Sequence, residues 1–102
     1  FRSRAAAQDG ALAPRAHEMV GRCLAANGDH EHAVEAFEHA LGLGQFEAEG
    51  QVELRLEMAQ SLSALGDVEA AIAQLEAADA ALPGRDDVAE RLAELRAFRK
   101  AA

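Results

Sequence analysis

Tryptophan and tyrosine are absent from the 102 residues, and only four phenylalanines, two prolines and one cysteine are present. With so few aromatics, any core must be thin and closed by helices or strands that small side chains let approach. The single cysteine, Cys23, admits no internal disulfide, which is compatible with a reducing compartment. β-Branched residues are few and no segment alternates with period two over a useful length, which argues against strands. No apolar run approaches the ~18 residues of a membrane helix. No signal-peptide pattern of charged then continuous apolar residues opens the chain. A cytoplasmic protein is expected. The chain begins at Phe1 rather than Met, so it reads as a trimmed segment whose targeting information could have been lost.

Basic residues are also few. Ten Lys and Arg face 18 Asp and Glu, giving a net charge of −8 and a pI near 4.9. Nucleic-acid binding needs a clustered basic surface, and here only Arg2/Arg4 and Arg96/Arg99/Lys100 group at all. The balance favours neutral or basic partners. No glycine-rich phosphate loop is found.

What the chain does have is alanine, about a quarter of all residues, beside 22 Leu, Val, Ile and Phe together. Alanine is the best helix former, so the composition points to an all-α protein. Gly, Asp and Pro divide it into helical stretches. Residues 1–9 end at Asp9-Gly10. Residues 14–27 open on Pro14 and close on Asn27-Gly28. Asp29 is placed to cap 30–43. A long stretch, about 47–65, stops at Gly66, Asp67 caps 68–81, and Pro83-Gly84 precedes a last helix opened by Asp86 or Asp87 and running to about residue 100. Turns this short lay consecutive helices antiparallel. The apolar spacing agrees. Ala33, Val34, Phe37, Ala40 and Leu41 form one face, as do Val68, Ala71, Ile72, Leu75 and Ala78. Leu54, Met58, Leu62 and Leu65 form a stripe on the helix between them.

Two of these stretches say nearly the same thing. NGDHEHAVEAFEHAL at 27–41 is answered 38 residues later by LGDVEAAIAQLEAAD at 65–79. Aligning Gly28 with Gly66 brings Val20 onto Met58, Gly21 onto Ala59, Leu24 onto Leu62, Ala33 onto Ala71, Phe37 onto Leu75 and Ala40 onto Ala78. Repetition at this period signals stacked supersecondary units. The pattern resembles the tetratricopeptide repeat, a 34-residue helix–turn–helix unit. Its Leu-Gly-x2-Tyr segment is matched as Val20-Gly21-x2-Leu24 and as Met58-Ala59-x2-Leu62, and Pro83 falls where the family closes a repeat. The departures are His17 and Arg55 in place of the leading Trp, Leu in place of Tyr in both copies, and four extra residues in GLGQFEAEG.

The resemblance implies a right-handed helical-repeat solenoid of antiparallel helix pairs. Residues 1–13 would end a preceding helix, 14–47 form the first unit, 48–85 the second with its four-residue insertion, and 86–102 a capping helix. The insertion is expected to lengthen the first helix of the second unit or the loop before it. Gly21 and Ala59 would sit where the two helices of a unit approach most closely, with Ala33 and Ala71 facing them. Phe37 and Leu75 would fill the space between units. A cut N-terminal end would leave apolar surface open to self-association.

Sites for chemistry are not apparent. His32, Glu35 and His39 share a helical face and are types that hold Zn²⁺, but the repeat template puts that face in solvent and no fourth ligand accompanies them. Cys23 is read as a buried thiol behaving like alanine, without a positioned base. The carboxylates show no apolar pocket that would make a pair of them an acid and a base. A non-enzyme without metal or cofactor is expected.

By the family template the first helix of each pair lines a concave face that holds peptides or helices. Here that face is Arg15, Glu18, Arg22 and Ala26, then Glu53, Leu56, Gln60 and Ser63, then Glu90, Glu94 and Ala97. Family members that clamp a C-terminal carboxylate use Lys and Asn on these faces. Glu18, Arg22 and Glu57 stand there instead, so no such clamp is implied. The reading is a protein-interaction scaffold for a segment of basic or mixed charge. The alternative is an architectural or oligomerising piece of a longer array with no ligand of its own. The Ala/Arg/Gly-rich usage suggests a bacterial source.

Overall fold

The computed structural model describes residues 15–44 and 46–101. The expected helix over residues 1–9 lies outside them. Among the described residues all regular structure is helical. Residues 15–26 form α1, followed by α2 (His30–Gly42), α3 (Ala48–Ala64), α4 (Val68–Ala81) and α5 (Asp86–Ala101).

The two turns that join α1 to α2 and α3 to α4 match bond for bond. Gly28 and Gly66 both take φ +84°, a left-handed conformation that costs glycine nothing. The Gly28 amide donates to the Ala25 carbonyl and the Asp29 amide to that of Leu24. In the second turn Gly66 donates to Ser63 and Asp67 to Leu62. This pair of bonds is the Schellman closure of a helix C-terminus. Each Asp then starts the next helix. Asp29 Oδ1 accepts from the His32 amide at 3.3 Å and Asp67 Oδ1 from that of Ala70 at 3.2 Å. One Gly-Asp dipeptide thus stops one helix and caps the next, and the turn spans only three residues.

Short turns fold consecutive helices back on one another. Along α1 from His17 to Gly21 the partners on α2 run backwards from His39 to Phe37. Likewise Arg96 of α5 reaches Glu76 of α4, while Arg99 reaches back to Glu69. α2 packs on α3, α3 on α4 and α4 on α5. α3, in the middle, buries Val52, Leu54, Met58, Ala59, Ser61 and Leu62, more of its circumference than one amphipathic stripe would need.

The close approach at Gly21 is present, but its partner is not the expected Ala33. Gly21 is buried, and a Cβ built on it would lie 2.6 Å from the Phe37 ring. The partner opposite Gly21 is therefore the Phe37 ring itself, with Ala33 buried one turn earlier on the same helix. Ala59, Ala71, Leu75, Ala40 and Ala78 are all buried. The extra residues lengthen a helix. α3 starts at Ala48, four positions before Val52, the residue aligned with Pro14. Phe46, half-buried against the core, anchors this extension, and Gly50 lets the chain pass its ring.

Two further expectations need correction. Cys23 is exposed and Val20 is 50% exposed. Their aligned residues on α3, Ser61 and Met58, are buried, as are Leu95 and Leu92 on α5. These two register positions turn toward the preceding helix pair. α3 and α5 have such a pair before them, and no described helix precedes α1. Met19, beside them, is also exposed. Leu65, placed in the apolar stripe, is 46% exposed. It stands past the last turn of α3, where the chain has left the packed face.

Candidate interaction face

α1, α3 and α5 contribute the side chains assigned from the sequence to the groove. Arg22 of α1 is the hub. Its Nη2 donates to Glu18 Oε2 at 2.9 Å, one turn earlier, and its Nε donates to Glu57 Oε2 across on α3. Further along, Glu53 of α3 accepts from Arg85 at 2.8 Å, and Arg85 also holds Asp87 at 2.6 Å at the start of α5. Arg91 lies 3.8 Å from Glu94 on α5. The structure therefore joins Glu18 to Arg22 and places Glu53 beside α5. Arg15, Gln60, Glu90 and Ala97 are exposed, and Leu56 and Ser63 are half-buried.

Two pockets open between these helices. The first, about 300 Å³, lies between α1 and α3 and is lined by Arg22, Ala25, Ala26, His30, Phe37, Glu57, Gln60 and Ser61. The second, about 370 Å³, lies between α3 and α5 and is lined by Ser63, Gly66, Val68, Arg91, Glu94, Leu95 and Phe98. They stand in repeat register. Ala25 aligns with Ser63 and His30 with Val68; Glu57 aligns with Arg91, Gln60 with Glu94 and Ser61 with Leu95. The same architectural position thus carries Glu57 with Arg22 in one copy and Arg91 with Glu94 beside Phe98 in the next. In the first pocket His30 Nδ1 sits 3.1 Å from Ser61 Oγ. Ser61 is 1% exposed, so this contact ties the two repeats together and leaves no hydroxyl presented to a substrate.

Glu57, which the sequence places on this face but outside the partner-binding set, owes its environment to the fold. Its Oε2 serves Arg22, while Oε1 is buried with no hydrogen-bond partner. Burial pushes its carboxyl above the usual glutamate range, Arg22 pulls it down and Glu18 pushes it up again. Arg22, more exposed than its partner, is held further toward its charged form, chiefly by the bond to Glu57. The same contact favours ionisation of the partner in water and falls short of offsetting burial for the partner in the pocket. The sign for stability follows. A carboxyl whose folded pKa is raised costs stability in its charged form, and the cost is relieved as pH falls through that raised value. A ¹³C NMR titration is expected to place the Glu57 midpoint above the ordinary 4.5. Arg22→Ala should raise it further and Glu18→Gln should lower it. A Glu57 midpoint at or below that of the exposed glutamates would contradict this account of the pocket.

The histidines go elsewhere than a metal site. His32 Nδ1 lies 2.8 Å from Asp29 Oδ2, which holds the imidazole toward its protonated form and the carboxyl toward its ionised one. Both are exposed at the α2 N-terminus, and the attraction operates only between the two pKa values. His39 stacks on His17, ring centroids 5.2 Å apart, so the residue in the family's tryptophan position still makes an aromatic contact between paired helices. Arg55, its counterpart, donates to Gln74 at 2.6 Å. Among the described residues no three His, Cys, Asp or Glu side chains converge as a metal site would need, and no helix is long and apolar enough to cross a membrane.

No curated protein matches the chain. Tetratricopeptide-repeat families match it twice, over residues 14–44 and over 52–95. The first stretch spans α1 and α2; the second spans α3 from Val52 onward, α4 and most of α5. Repeats of this kind are in general protein–protein interaction modules and typically not catalysts. Twin Gly-Asp turns, a glycine under a phenylalanine ring and two pockets in one register have the same origin: the chain belongs to the tetratricopeptide-repeat family.

Proposed function

We propose that this chain is a non-catalytic scaffold that binds a peptide or helical segment of basic or mixed charge on the concave face formed by α1, α3 and α5. The observation that carries this reading is the pair of side-chain-sized pockets opening in register on that one face. Around them Glu18, Glu53, Glu57, Glu90 and Glu94 meet Arg15, Arg22, Arg85 and Arg91, a field that draws in positive charge and repels acidic segments. Two repeats offer limited area, so modest affinity is expected. The test uses dodecapeptides enriched from a randomised display library and measured by fluorescence anisotropy. The combined substitution Glu53→Lys, Glu90→Lys and Glu94→Lys is expected to weaken binding about tenfold or more, as charge pairing becomes repulsion. Unchanged affinity would remove the concave face from the account.

A second reading rests on a different observation. Met19 and Val20 are exposed at 59% and 50%, whereas Met58 and Leu92, both aligned with Val20, are buried. Such a surface suits a further repeat, in an array or from another copy, and the chain would then be architectural. Sedimentation at rising concentration separates the two. A saturating dimer abolished by Val20→Glu supports the architectural role, and a monomer throughout supports the binding module.

A further inference from the structure

The two pockets differ in chemistry, and the difference describes the partner more closely than charge alone; this inference rests on the concave-face reading. In the α1–α3 pocket, polar and charged side chains surround a carboxylate with one oxygen engaged by Arg22 and the other buried and unpaired. Arg22 brings one positive charge against the two of Glu18 and Glu57, so the cluster is left one negative charge in excess. A guanidinium or ammonium offsets that excess charge. The α3–α5 pocket has Val68, Leu95 and Phe98 in the lining. Phe98 is 62% exposed, a large apolar ring left in water next to a cavity.

We infer that the partner segment carries a basic side chain for the α1–α3 pocket and a large apolar side chain for the pocket beside Phe98. The spacing follows from the architecture. The pockets lie one helix apart, about 10 Å for packed helices, and a polyproline II segment advances about 3.1 Å per residue and brings every third side chain to one face. The two anchors are three residues apart in such an extended partner, or about seven in a helical one at 1.5 Å per residue. An acidic segment, or one with an apolar residue at both places, leaves the excess negative charge of the first pocket unmatched and is rejected.

The experiment takes the dodecapeptides from the same randomised library and reads their consensus, then their affinities by fluorescence anisotropy. A basic and a large apolar residue at one of these spacings is expected. Replacing the basic residue by Gln should weaken binding to the parent protein about tenfold, and to Glu57→Gln hardly at all. Replacing the apolar residue by Ser should weaken binding to the parent similarly, and to Phe98→Ala hardly at all. Circular dichroism checks that both variants keep their helices. A consensus without this pair, or losses that persist in full in the matching variants, overturns the inference. Absence of any enriched peptide overturns it as well. If Ala26→Glu and Gln60→Lys disrupt binding of peptides that lack the pair, the concave-face reading stands and this inference alone falls. If those two substitutions change nothing, both fall.

Discussion

Phe37→Ala is expected to lower the stability of the chain by about 3–5 kcal/mol, the range for emptying the site of a buried aromatic. A domain of this size has roughly 5–15 kcal/mol in total, so the variant should be partly unfolded at physiological temperature. The ring is 1% exposed and lies directly over Gly21. Glycine carries no side chain with which to refill the space, so the cavity would persist rather than close. The loss should also be local at first. Stacked repeats are coupled mainly to their neighbours, and α3 to α5 retain a cluster of their own in Ile72, Leu75, Val88 and Leu92. Amide exchange is therefore expected to accelerate in α1 and α2 before it does in α4. Phe98→Ala serves as the control, because that ring is mostly exposed and its loss should shift stability by about 0.5 kcal/mol or less. A Phe37→Ala melting temperature within two or three degrees of the parent would mean that the ring is not part of the core.

Most of this architecture was legible in the sequence because its determinants are local. Gly28-Asp29 and Gly66-Asp67 state where helices stop and start through backbone geometry and one side-chain oxygen each. Alanine at 33, 40, 71 and 78 marks close approach at a fixed helical period. The four-residue insertion could be located but not assigned between loop and helix, because nothing local in FEAEG shows Phe46 returning to the core. Burial at Cys23 was misread because the repeat pattern describes a residue with a helix pair on either side, and no described helix precedes α1. The candidate face was half legible. Glu18 and Arg22, one turn apart on one helix, could be read as a surface pair. The contact of Arg22 with Glu57 could not, because those residues are 35 positions apart and meet only once α1 and α3 are side by side. The contrast between the pockets was present in part in the alignment of Glu57 with Arg91, His30 with Val68 and Ser61 with Leu95, although without the fold nothing marked those positions as lining a cavity.

Gly21 offers the sharpest test of the packing logic, because two opposing effects act on one atom. Gly21→Ala gains about 1 kcal/mol of helix propensity. It also places a Cβ 2.6 Å from the Phe37 ring, and overpacking of this kind costs about 1–3 kcal/mol. A ring buried to 1% has little room to move, so the clash should win and the variant should be less stable. Gly21→Val, with a larger branched side chain and no propensity gain comparable to alanine's, should lose about 3 kcal/mol. The second repeat already contains the compensated solution, since it pairs Ala59 with Leu75 where the first pairs Gly21 with Phe37. Transplanting that pair, as Gly21→Ala with Phe37→Leu, should therefore restore stability beyond the sum of the two single changes. A coupling of about 1–2 kcal/mol in a double-mutant cycle is expected from urea denaturation. Additive losses would show that the two positions do not share a contact. A stabilised Gly21→Ala single variant would show that helix propensity outweighs the close approach on which the helix pair is built.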